Sequence, residues 1–85
     1  MAVDPYSSPL AFFASELRRL RERAGITQQT LAEQTNYALP TVSAFETGRR
    51  IPSQDFAERA DKVFVTEGDL ARLQRLVERM SVLPW

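Results

Sequence analysis

The sequence predicts an all-α domain built from five helices. Apolar residues recur at three- and four-residue spacing between Phe13 and Met80, and no stretch alternates with the period of a strand. Residues that start or stop helices fall between the periodic segments: Ser8-Pro9, Gly25, Thr27, Asn36, Gly48 and Ser53.

Residues 1–8 hold Pro5, Ser7 and Ser8 without periodicity and are expected to form a mobile arm ahead of a folded unit at about 9–80. The first helix is expected from Pro9, with Ser8 as its N-cap. Phe13, Leu17, Leu20 and Ala24 form its core stripe, and Gly25 ends it because glycine accepts a left-handed conformation. Thr27 caps the second helix, expected at about 28–35, and Ile26 with Leu31 has the spacing of a hydrophobic staple. Leu31 and Ala32 face inward. Asn36 is the turn residue, since asparagine tolerates positive φ.

Leu39 precedes a proline, which disfavours the α region, so the third helix is expected to run from Pro40 over about 40–47. Val42 and Phe45 are its inner face, and Gly48 stops it. Ser53 caps the fourth helix, Asp55 complements its dipole, and Phe56, Ala60 and Val63 are its stripe. Thr66 with Asp69 resembles a capping box for the fifth helix, whose apolar residues are Leu70, Leu73, Leu76, Val77 and Met80. Residues 81–85 are an apolar tail and a candidate start of a further domain. A terminal Trp85 suits a truncated chain.

Length and composition bound the function. The 85 residues allow one small domain. There is no cysteine, so disulfides and thiolate metal sites are excluded and a cytoplasmic location is compatible. There is no histidine, which removes the commonest general base and zinc ligand. With no standout carboxylate pair and only Gly25, Gly48 and Gly68 as glycines, neither an active site nor a phosphate-cradling loop is expected. The chain is thus expected to be no enzyme and to act without a cofactor. No apolar run reaches membrane-spanning length. Formal net charge is +0. A dedicated nucleic-acid binder usually shows a basic excess, so any asymmetry must come from the placement of Arg18, Arg19, Arg21, Arg23, Arg49 and Arg50 on one face.

These residues resemble the Cro/repressor, or XRE-type, helix-turn-helix domain. The resemblance runs over about 17–73 and rests on Leu17-Arg18-Arg19-Leu20-Arg21 before Gly25, Thr27-Gln28, Leu31-Ala32, Thr41-Val42-Ser43, Phe45-Glu46-Thr47-Gly48-Arg49-Arg50 and Pro52-Ser53. Asn36 stands where that family usually has glycine. The segment from Leu70 to Trp85 is similar to the one following the DNA-binding module in a group of actinobacterial developmental regulators. There a larger effector domain follows the module and a small companion protein is often encoded nearby. The excess of arginine over lysine suits a GC-rich genome.

The resemblance implies double-stranded DNA as the partner and assigns the site. Gln28 would reach a phosphate at the start of helix 2, and Thr47, Arg49 and Arg50 would contact the opposite backbone. Arg21 and Glu46 would form an internal ion pair. Ala38, Leu39, Pro40, Thr41, Ser43 and Ala44 would face base edges. None of these carries the Arg, Lys, Asn or Gln that reads guanine or adenine bidentately. What remains is contact with thymine methyls, hydroxyl bonds from Thr41 and Ser43, and readout of DNA shape.

Two functions stay open: a sequence-specific transcription regulator with helix 3 in the major groove, and a non-enzymatic module whose helix-turn-helix surface or helix 5 docks a protein. The apolar face with Leu73, Leu76, Val77, Met80, Leu83 and Trp85 is a candidate interface with a second copy, a companion protein or a downstream domain. The first-helix arginines either touch the DNA minor groove or backbone or form a solvated paired face through Arg18–Glu22 and Glu16–Arg19.

Overall fold

The computed structural model describes residues 8–81, and all regular structure among them is helical. The elements are α1 (Pro9–Ala24), α2 (Gln28–Thr35), α3 (Leu39–Glu46), α4 (Gln54–Phe64) and α5 (Asp69–Ser81). The expected arm, apart from Ser8, and the tail residues Leu83 and Trp85 lie outside the described residues.

Side-chain caps open three of the helices. Ser8 Oγ accepts from the Ala11 N–H, Thr27 Oγ1 from that of Thr30 and Ser53 Oγ from that of Phe56, each at 3.0 Å. One device also closes four helices. Gly25, Asn36, Gly48 and Val65 take left-handed φ values of 72°, 60°, 72° and 55°. The N–H of the next residue then reaches back to a carbonyl in the last turn: Ile26 to Arg21, Tyr37 to Ala32, Arg49 to Ala44 and Thr66 to Asp61, at 2.9–3.3 Å. These are Schellman closures, which satisfy carbonyls the helix end would leave exposed. Val65 is the costly member, because a β-branched residue crowds its own backbone there.

Helix α3 begins one residue earlier than the proline rule suggests. The Ala38 carbonyl accepts from both Thr41 and Val42 at 3.1 Å, which draws Leu39 into the first turn. Pro40 is then the second helical residue, where its missing N–H still forfeits no intrahelical bond. Ala38, the N-cap, makes no side-chain cap.

The Thr66–Asp69 capping box does not form. Asp61 of α4, 6% exposed, caps α5 instead. Its carboxylate accepts from the Leu70 and Ala71 N–H groups, both at 2.9 Å, and from the Thr66 hydroxyl. Asp69 pairs with Arg72 at the surface. The remote carboxylate wins because it is buried beside the donors, where an anion at a helix N-terminus is strongest.

The core gathers Phe13, Leu17 and Leu20 of α1, Leu31 and Ala32 of α2, Val42 and Phe45 of α3, Phe56, Ala57 and Ala60 of α4, and Leu70 and Val77 of α5. Helix α1 packs on α3, α4 and α5, and α2 packs on α3 and α4. Ala24, expected in the stripe, is exposed at the helix end. Val77, expected in an outward interface, is 1% exposed in the core, because it lies on the α5 face turned toward the bundle. Gln74 is equally buried and donates to the Pro52 carbonyl at 3.0 Å, tying α5 to the loop before α4. No helix among the described residues is long and apolar enough to cross a membrane.

Asp61→Ala strips two buried N–H groups of their acceptor and is expected to destabilise the domain by about 2–4 kcal/mol. Urea denaturation measures this; a midpoint equal to that of the unaltered chain contradicts the cap.

Candidate functional site

The outer surface of α2, the turn and α3 is fixed from beneath by a buried carboxylate. Glu46, at the end of α3, is 3% exposed. Arg21 Nε of α1 donates to its Oε2 at 2.7 Å, and Gln28 Nε2 of α2 donates to its Oε1 at 3.0 Å. Arg21 also donates to the Ile26 carbonyl at 3.0 Å. One carboxylate thus joins α1, the start of α2 and the end of α3, and each oxygen is met by a donor. Gln28 is half-buried as a result and is tied inward rather than standing free in solvent.

The turn is held by Tyr37. Its ring packs edge-on against Phe56 and Phe45, with centroids at 5.1 and 6.2 Å. Its hydroxyl donates to Asp55 Oδ2 at 2.8 Å and lies 2.8 Å from Ser53 Oγ. Arg59 pairs with Asp55 at 2.9 Å, donates to the Thr35 carbonyl at 3.0 Å and places its guanidinium over the Tyr37 ring at 6.0 Å from the centroid. The turn between α2 and α3 is therefore latched to the first turns of α4. The Tyr37 bond is the largest influence holding the Asp55 carboxyl below its ordinary range, with the charges of Arg59 and Lys62 adding to it. Sequence reasoning missed this latch. The available signal was an aromatic with a polar tip directly after a turn asparagine, a side chain that seeks both a core and a partner.

Above this base, Ala38, Leu39 and Pro40 are exposed, and Thr41, Ser43 and Ala44 are half-buried. Val42, Phe45 and Glu46 form the inner face of α3. The Thr41 and Ser43 hydroxyls have no hydrogen-bond partner among the described residues and are free to donate outward. Thr47 is different: its hydroxyl donates to the Ser43 carbonyl at 3.0 Å, so its proton is already committed. Arg49 and Arg50 are exposed and form no ion pair among the described residues. Neither α2 nor α3 has an acid in its first turn. One edge of the face is thus cationic and its centre nearly uncharged.

The first-helix arginines divide. Arg18 pairs with Glu22 at 3.4 Å and Arg19 with Glu16, a solvated face. Of the candidate interface on α5, Leu76 is 47% exposed and Leu73 and Met80 are half-buried. Leu73, Leu76 and Phe12 of α1 line a shallow groove away from the α3 surface.

Glu46→Ala would leave Arg21 and Gln28 facing a void and is expected to cost ~3–5 kcal/mol, read as a lowered thermal midpoint. An unchanged melt contradicts a structural ion pair. Tyr37→Phe is expected to raise the pH at which the Asp55 carboxyl titrates, followed by NMR. A carboxyl depressed in the folded state adds stability above its unfolded value that is lost as pH falls through the folded one, so the contribution present above the unfolded value shrinks in the variant. An Asp55 titration that does not move removes Tyr37 as its cause.

A family model described as a helix-turn-helix domain matches residues 13–76. The comparisons with curated proteins and with solved structures found no match.

Proposed function

Because the chain belongs to the helix-turn-helix domain family, we propose that it is a sequence-specific DNA-binding transcription regulator, or the DNA-binding module of one. We further propose that its helix-turn-helix is of the Cro/repressor, XRE type, similar to the module of actinobacterial developmental regulators. Helix α3 enters the major groove, and α2 crosses the backbone. The observation that carries this reading is the charge arrangement around α3. Arg49 and Arg50 stand exposed and unpaired directly after α3; Arg23, Arg75 and Arg79 are also unpaired among the described residues but lie on α1 and α5, while Arg18, Arg19 and Arg59 are neutralised by neighbours. In a chain of formal net charge +0, free cations beside the base-facing helix suit phosphate contacts.

Phosphate contacts come from Gln28 and the two arginines. Thr47 contributes after its hydroxyl turns away from the Ser43 carbonyl, where its backbone N–H is also bonded. Base reading falls to the Thr41 and Ser43 hydroxyls and to apolar contact from Ala38, Leu39, Pro40 and Ala44. Leu39, 39% exposed, is the largest apolar group on this surface and matches the C5-methyl of thymine. The resulting specificity is modest, and pairing of two copies on neighbouring half-sites would raise it. A second reading, docking of a companion protein or a downstream effector domain, is favoured by exposed Phe12 and Leu76 on the α1–α5 face. That face is separate from α3, so the two activities are compatible.

A sequence bound by the chain, selected from random duplexes, supplies the test. Arg49→Ala with Arg50→Ala is expected to flatten the log–log salt dependence of binding by about 0.9 per lost phosphate contact. Replacing the contacted thymines with uracil is expected to weaken binding several-fold, whereas non-specific binding stays unchanged. Failure to bind any duplex at low salt rejects the DNA reading and favours protein docking.

A further inference from the structure

We infer that Glu46 is a positioning residue for DNA contact: through its hydrogen bond to Gln28 it orients that amide for a phosphate, while Arg21 cancels the charge that would repel the phosphate. The inference rests on the DNA-binding reading and adds to the structural role of the Arg21–Glu46 pair.

An amide side chain presents a donor end and an acceptor end of nearly the same shape, and at a surface it turns freely between them. A phosphate oxygen only accepts, so a wrongly turned Gln28 would offer its carbonyl to an anion. Glu46 removes that freedom. Its carboxylate also only accepts, and its Oε1 lies 3.0 Å from Gln28 Nε2, so the amide is held with its nitrogen on the α3 side. One Nε2 proton goes to Glu46, and the other is the side chain's remaining donor. The hold is firm because Glu46 itself is buried and clamped by Arg21 at 2.7 Å. An amide fixed before binding loses less rotamer freedom when DNA arrives.

The same geometry poses an electrostatic difficulty. A carboxylate one amide away from a phosphate would repel it through a medium that screens poorly. Arg21 meets this by lying on the opposite oxygen of the same carboxylate, so that the cluster presents no net charge to the DNA. Its bond to the Ile26 carbonyl, just ahead of the Thr27 cap, also holds the α2 N-terminus in register with Glu46. If Gln28 merely satisfied a buried lone pair, changes to the pair would alter stability and leave DNA contact by the folded protein untouched.

A double-mutant cycle on DNA affinity separates the two, measured well below each variant's melting temperature. Gln28→Ala forms one arm. The other replaces the pair together, Arg21→Met with Glu46→Met, which withdraws both charges at similar volume. Each arm is expected to weaken binding about 10-fold, of the order of one hydrogen bond to a charged group, and to leave the salt slope unchanged, because a neutral amide displaces no counterion. The combination is expected to bind no worse than the weaker arm, because an unoriented amide and a missing amide are equivalent. Should the paired replacement fail to fold, Glu46→Asp keeps the charge but draws the carboxylate back from Gln28 and takes its place in the cycle. Losses that multiply, or folded pair variants that bind as the unaltered chain does, overturn the inference while leaving DNA binding intact. Absence of DNA binding by the unaltered chain overturns both.

Discussion

Much of this molecule follows from the need to satisfy one carboxylate out of water. Glu46 ends α3 beside Phe45, where an unpaired anion would be strongly destabilising. Its partners come from different helices, Arg21 from α1 and Gln28 from α2, and both bonds form only when those helices cross α3 at the right height. The apolar core of Leu17, Leu31, Val42 and Phe45 supplies the driving force for packing, but hydrophobic contact is non-directional. The ionic cluster adds direction. It sets which residue of α2 meets which residue of α3, and so fixes the angle at which the outer surface of α3 is presented.

Around that cluster the backbone turns repeat one closure. Gly25, Asn36, Gly48 and Val65 each reverse the chain in a left-handed conformation, which keeps the connections short and the helix ends satisfied. Tyr37 uses the second of these turns to reach the Ser53–Asp55 start of α4. Asp61 and Gln74 tie α5 to α4 and to the loop before it in the same way. The buried Glu46, Asp61 and Gln74 therefore join elements, whereas the buried Thr35 hydroxyl serves its own helix through the Leu31 carbonyl. Arginine usage divides along the same lines: Arg21 and Arg59 fasten helices together, whereas Arg49 and Arg50 face outward. A chain with no net charge thereby keeps a cationic edge beside α3.

Reading the sequence reached the helices and most of the core because both obey local rules. Phe13, Leu17 and Leu20 repeat at helical spacing, and Ser8, Thr27 and Ser53 cap through bonds only three residues long. Asn36 was legible as a turn because few side chains tolerate its φ. The missed polar contacts have one cause. Asp61 acts nine and ten residues ahead of itself, and Tyr37 reaches sixteen and eighteen. A local capping box at Thr66–Asp69 was the best guess available to a local rule, and a buried remote carboxylate displaced it. Val77 and Leu76 are adjacent and equally apolar, yet one is core and the other surface, which only the placement of α5 against α1 could decide.

By itself the sequence determined the all-α class, the helix order, the turn at Asn36 and the absence of bidentate base-reading side chains along Ala38–Ala44, because these depend on periodicity, backbone preference and residue chemistry. The tertiary structure alone decided that Gln28 is bound to Glu46 and that Arg49 and Arg50 remain unpaired among the described residues. Each of those outcomes is a competition among donors for a limited number of acceptors. Such a competition is settled by distance and burial between helices, which residue order does not encode.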